Sequence, residues 1–185
     1  VILSTTSSTI CSVNGNAVTI IGAGSCVITA KQAGTVNYSE AEASKTVIIA
    51  KQKQTVTFAA LSNKTFGDVP FDISATGGAS GNPVTFASIT PNVCSVEGAK
   101  VSIVGAGPCT IQASQAGKDP NYEAATAVSQ SFTIAKAAQS ISFSLSDLPA
   151  KTLGDAPFPI AAASSSGLPV NFFSLNPPTC TVAQN

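Results

Sequence analysis

The chain of 185 residues contains no histidine, no tryptophan and no methionine, and its nine basic residues are all lysine. Histidine is the commonest general acid/base and the commonest metal ligand. Its absence removes Ser-His-Asp triads, Cys-His pairs and the usual zinc sites. Charge of either sign is scarce. Charged residues make up 10 % of the chain and the formal net charge is zero, against an ordinary share of about 25 %. The lysines and acids are scattered, so no basic stripe is available to neutralise phosphates, and nucleic acid is not an expected partner. Long apolar runs are missing too. No uninterrupted stretch reaches the roughly 18 residues of a membrane helix, so no membrane span is expected in this segment. The opening stretch VILSTTSSTICS lacks the positive region and cleavage site of a signal peptide.

What remains is rich in Val, Ile, Ala and Phe on the apolar side and in Ser, Thr, Asn and Gln on the polar side. Branched, small and hydroxylated residues suit pleated strands and turns rather than helices. The dominant feature is repetition. Cys11 and Cys26 are 15 positions apart, as are Cys94 and Cys109, and each of the first pair lies 83 positions before its counterpart. Cys180 follows Cys94 by 86 positions. Other landmarks keep the same period: CSVNGNAVTI (11–20) with CSVEGAKVSI (94–103), QAGTVNY (32–38) with QAGKDPNY (115–122), KTFGDVPF (64–71) with KTLGDAPF (151–158). A fixed period of this kind marks a tandem array. The unit is about 85 residues, giving a C-terminal part of one repeat at 1–50, a complete repeat at 51–135, and an N-terminal part of a third at 136–185. Val1 corresponds to Val84 and Val170, so both ends fall inside a unit, and the expectation is a segment of a longer array.

Within a unit, apolar and polar residues alternate. Cys109, Ile111 and Ala113 are expected inward, with Thr110, Gln112 and Ser114 outward; Phe71, Ile73 and Ala75 alternate with Asp72, Ser74 and Thr76. A period of two with one buried face predicts antiparallel strands. Strands are expected near 54–60, 71–76, 83–88, 93–97, 100–104, 108–115 and 127–135, separated by Gly-, Asn- and Asp-rich turns. Seven short strands in about 85 residues predict an all-β fold of immunoglobulin-like β-sandwiches stacked end to end. The linkers Ala50-Lys51-Gln52-Lys53 and Ala135-Lys136-Ala137-Ala138 are short and lack glycine, which predicts restricted swing between units.

These motifs in sequence carry a resemblance. The run IAKxxQxxxF, KTxGDxPF, SGxPVxF, CxV, GAGxCxI, QAGxxxY and SFTI resembles bacterial Ig-like repeat domains of long surface proteins and adhesins. The resemblance covers nearly the whole chain. It implies a secreted or surface-exposed, non-catalytic, stacked β-sandwich, and it implies no particular ligand.

Several constellations invite a chemical reading. The Gly-Ala-Gly turns at 22–24 and 105–107 match the start of a dinucleotide fingerprint, but the third glycine is replaced by Val27 and Thr110 and a strand pattern follows. A structural turn is expected. Two cysteines per unit, with no histidine near them, favour disulfides Cys11–Cys26 and Cys94–Cys109, since that connectivity treats the units alike. Buried free thiols are the alternative, and two thiolates do not fill a tetrahedral metal site. Cys180 has no partner within this segment. Disulfides would place the chain in an oxidising compartment, extracellular or at the cell surface. Asp68 and Asp155 sit in matching Gly-Asp turns, too sparse in carboxylates for a calcium-stiffened joint. Lys64 and Lys151 precede those turns, with no spacing that singles out an isopeptide crosslink. Tyr38 and Tyr122 are expected to pack in the core or at its rim. Asn37 and Asn63 head glycosylation sequons, at a frequency near chance in so Ser/Thr-rich a chain.

The leading expectation is a structural repeat segment, with no catalytic residues, no metal and no cofactor: a stiff, disulfide-stabilised stalk for adhesion or display, its partners the neighbouring repeats of the same chain. One alternative is a subunit of an extracellular filament of identical chains, since low charge tolerates edge-to-edge strand pairing. The other is a module binding glycan or protein through its loops.

Overall fold

The structure is a computed structural model, and it describes residues 1–144 and 150–183. Those residues are all-β, with no helix among them. The chain divides into two compact units, Val1–Lys136 and Ala137–Asn185.

The first unit opens with β1 (Ile2–Thr5), β2 (Cys11–Asn14), β3 (Ala17–Ile20), β4 (Gly24–Gln32) and β5 (Ala41–Ile49). It continues through β6 (Thr57–Phe58), β7 (Lys64–Thr65), β8 (Phe71–Asp72), β9 (Ala75–Thr76), β10 (Val84–Ser88), β11 (Cys94–Glu97), β12 (Lys100–Ile103), β13 (Gly107–Gln115) and β14 (Val128–Ala135). The second unit holds β15 (Ile141–Ser142) and β16 (Ala163–Ser164).

Residues 51–135 build a four-stranded sheet in the order β10-β13-β14-β7, a three-stranded sheet β11-β12-β8 and the short pair β6-β9. The long strand β13 shows why a core forms between them. Cys109, Ile111 and Ala113 are fully buried while the residues between them face outward, as a period of two requires. They meet Val56, Phe58, Ile73, Val101, Phe132 and Ile134 in one hydrophobic cluster. Phe58 leans on Phe86 with ring centroids 5.4 Å apart, and Phe71 meets Phe132 edge-on at 5.7 Å.

The repetition in sequence is a repetition in register. Cys11 faces Ile20 across β2–β3 as Cys94 faces Ile103 across β11–β12. Gly24 pairs with Ile49 as Gly107 pairs with Ile134. Thr5 pairs with Ile28 as Ser88 pairs with Ile111. In the second unit Ser142 pairs with Ala163 where Thr57 pairs with Thr76, and Phe143 meets Phe172 at 5.7 Å where Phe58 meets Phe86. Burial does not repeat. Val101 is 0 % exposed, pairing with Phe71 of β8 inside the hydrophobic cluster, and its counterpart Val18 is 43 % exposed.

The structure departs from the sequence expectations in four places. The strand expected at 54–60 shrinks to Thr57–Phe58. The strand expected at 71–76 breaks in two, because Phe71 pairs with Val101 in one sheet and Ala75 with Phe58 in another. The chain crosses between the sheets at Ile73, whose side chain is buried between them. A strand not expected at all, β7, pairs in parallel with β14, so the pairing is not wholly antiparallel. Tyr38 is 78 % exposed rather than packed, although Tyr122 is half-buried.

Candidate functional site

The first two repeats each carry one crosslink. The turn before β11 is closed by Val93 and Cys94 N–H groups donating to the Thr90 carbonyl, at 2.9 and 3.1 Å, which sets Cys94 at the head of its strand. Cys109 lies on the inward side of β13. The structure joins these two residues, Cα atoms 5.8 Å apart, with both buried completely. The bond ties the β11-β12-β8 sheet to the β10-β13-β14-β7 sheet. Cys11 and Cys26 are joined in the same way at the same Cα separation of 5.8 Å. Each closes a loop of 15 residues, a constraint worth about 3 kcal/mol against the unfolded chain. Cys180 is a free, exposed thiol, its sulfur 3.3 Å from the Ser174 hydroxyl.

Around the crosslink sits a hydroxyl staple that sequence reasoning missed. Thr90 N–H donates to Ser88 Oγ at 3.1 Å, and Thr110 N–H donates to Thr90 Oγ1 at 2.9 Å. In the first repeat Ser7 N–H donates to Thr5 Oγ1 at 3.0 Å and Val27 N–H to Ser7 Oγ at 3.2 Å. In the second unit Asn176 N–H donates to Ser174 Oγ at 3.1 Å. The signal was present: a hydroxyl residue stands six positions before the leading cysteine of each of the three repeats, at Thr5, Ser88 and Ser174.

Two buried glutamines were missed as well. Gln115 ends β13 with its side chain inward. Gly78 N–H donates to Gln115 Oε1 at 2.6 Å, and Gln115 Nε2 donates to the Asn82 carbonyl at 2.7 Å. Gln54 Nε2 donates to the Ala116 and Glu123 carbonyls, each at 2.9 Å, while Ser80 N–H donates to Gln54 Oε1 at 3.0 Å. A primary amide offers donors and an acceptor at one point, so each glutamine pins the glycine loop at 77–82 to a neighbouring segment. Gly77 and Gly78 are needed for this. A Cβ on Gly77 would stand 2.5 Å from Gln115 Nε2, and one on Gly78 would stand 2.5 Å from Gln54 Cβ.

The remaining candidates resolve into scaffold. Thr65 N–H donates to Asp68 Oδ2 at 2.9 Å, and Thr152 N–H donates to Asp155 Oδ2 at 2.9 Å, so both aspartates close their own turns. Lys64 Nζ lies 4.7 Å from the centre of the Phe71 ring and Lys151 Nζ 5.3 Å from that of Phe158, each covering an aromatic face. The Gly-Ala-Gly turns lead directly into β4 and β13. A strand follows each of them, so no helix N-terminus is there to receive a phosphate. A shallow recess of about 470 Å³ is lined by Val84, Thr85, Phe86, Gly98 and Ala99, none of them titratable. Among the described residues no three His, Cys, Asp or Glu side chains cluster as metal ligands, and no helix is long and apolar enough to cross a membrane.

No protein-family model matches the chain, and no curated protein matches it significantly.

Proposed function

We propose that the chain is a structural segment of an extracellular repeat protein: immunoglobulin-like β-sandwiches stacked in series, each locked by one disulfide, forming a stiff stalk for adhesion or display. The observation that carries this reading is the recurrence of crosslink and strand register together. Cys11–Cys26 and Cys94–Cys109 have the same loop length and Cα separation, and the strands around them pair residue for residue. A repeated scaffold with repeated crosslinks favours length and durability over a single chemical site. The disulfides favour an oxidising, extracellular setting. The polar features described above hold the turns and loops of the fold, and the proposed role is structural. Electron microscopy of the native material, with the mass of the dissociated chain, tests the proposal. Single thin rods whose length scales with one polypeptide are expected. Ordered filaments several domains wide would replace the stalk with a self-assembling fibre, and globular particles would reject both.

A further inference from the structure

We infer that the Gly-Ala-Gly turn is the socket of a joint between successive repeats, and that Asn121 is the positioning residue that holds the joint. The inference rests on the array reading above and states how neighbouring repeats are held.

The two Gly-Ala-Gly turns have the same backbone. Ile21 and Gly22 N–H groups donate to the Ile10 carbonyl at 2.9 and 3.1 Å; Val104 and Gly105 N–H groups donate to the Val93 carbonyl at 2.9 and 3.0 Å. Gly24 and Gly107 hold φ values of 139° and 142°. Their surroundings differ. Ala23 is 8 % exposed, whereas its counterpart Ala106 is exposed. What covers the first turn is a loop of the following repeat. Ala23 N–H donates to Asn121 Oδ1 at 3.0 Å, a contact 98 positions apart in sequence. A Cβ placed on Gly22 would stand 3.0 Å from Asn121 Oδ1 and 3.8 Å from Pro120 Cγ, as well as 3.1 Å from the Thr9 carbonyl. At Gly105 the corresponding Cβ meets only the Asn92 carbonyl, at 3.2 Å. The added neighbours at the first turn are therefore the Pro120-Asn121 loop.

That loop is itself fastened to the linker between the repeats. Gln52 N–H donates to the Asn121 carbonyl at 2.7 Å and Glu123 N–H to the Gln52 carbonyl at 3.0 Å. The Lys51 ammonium pairs with Asp119. Within the loop, Asn121 N–H donates to the Lys118 carbonyl at 2.9 Å. The linker is thus zipped to the loop by two backbone bonds and a charge pair, and the loop reaches back with a carboxamide to the turn of the preceding repeat. A short linker held at one end still pivots. A second attachment across the joint removes that freedom.

Both halves of the device recur. Gly105-Ala106-Gly107 is a second socket with its alanine exposed. Thr35–Tyr38 is a second plug, with Asn37 at the position of Asn121 and with Val36 and Tyr38 exposed. The occupant of each is a further repeat of this type: an asparagine carboxamide for the socket, an amide N–H in a glycine turn for the plug.

Amide hydrogen exchange on the 185-residue chain tests this with a control inside the molecule. One hydrogen bond of ordinary net strength slows exchange by about three- to ten-fold. The Ala23 amide is expected to exchange slower than the Ala106 amide by that factor. The Asn121→Ala variant is expected to bring Ala23 to the rate of Ala106 while the β4–β5 amides stay protected, which shows that the fold is intact. Equal rates for Ala23 and Ala106 in the unaltered chain would overturn the joint, as would an Ala23 amide still protected in the variant. Either result with thin rods in the microscope rejects the joint and leaves the stalk standing. A protected, Asn121-dependent Ala23 amide in a chain that forms no rods supports the joint and rejects the stalk.

Discussion

Gln115 and Gln32 occupy the same position in successive repeats and face different surroundings. Gln115 is 4 % exposed and bonded to the glycine loop at 77–82; Gln32 is exposed. Gln115→Ala would strand the Gly78 N–H and the Asn82 carbonyl at a partly buried site. Leaving buried polar groups unpaired costs about 1–3 kcal/mol. Gln32→Ala removes a solvated side chain and should stay within about 0.5 kcal/mol. Urea denaturation of the two variants checks the contrast, and equal losses would show that the Gln115 bonds carry no stability. At this scale the inward apolar residues of β13 were legible from alternation alone, since period two leaves one choice of face. Both glutamines have the inward phase, Gln115 after Ala113 and Gln54 before Val56, but a polar residue in that phase reads as the end of the buried run. Their partners, Gly78 and Asn82 for Gln115 and Ser80, Ala116 and Glu123 for Gln54, lie far along the chain and leave no local mark.

Short elements in this fold are held by side chains as much as by ladders. β10 ends at Ser88, and the bond that would have continued the ladder is supplied by a hydroxyl: Thr110 N–H donates to Thr90 Oγ1 rather than to a main-chain carbonyl. Ile89 N–H donates to the Thr110 carbonyl at 2.9 Å on the same step. Thr90→Val keeps the shape and removes the acceptor. The expected cost is about 1 kcal/mol, with faster exchange at the Thr110 amide and unchanged protection at Ala113, deeper in the strand. Exchange of Thr110 unaltered by the substitution would assign the staple no role. The same dependence explains which strands the sequence could reveal. β13 and β14 are long, alternate cleanly and sit between neighbours, so their pattern is written in their own residues. β7 is two residues long and is fixed by Asp68 closing the next turn and by its parallel pairing with Ile134 and Ala135. A pairing partner 70 residues away leaves no local mark.

For the whole molecule the period of the cysteines was the most legible feature, while the proposed joint rests on Asn121, whose bonded partner Ala23 lies 98 positions away and leaves no local mark. In the proposed array, stability is a sum of repeats and of contacts between neighbours, so the crosslinks and the proposed joints act on different properties. A joint governs bending. A disulfide governs how far a unit extends once it has opened under tension. The loop from Cys94 to Cys109 is 15 residues, about 50 Å of extended chain at roughly 3.4 Å per residue. With the bond intact the two Cα atoms remain 5.8 Å apart, so each oxidised unit withholds about 45 Å of contour. Single-molecule pulling of the chain should therefore show the 51–135 repeat lengthening by about 45 Å more after reduction than before. Cys94→Ser/Cys109→Ser should reproduce the longer step without reductant. Equal steps before and after reduction would mean that the crosslink does not limit extension, and would remove the mechanical reason for the two crosslinks.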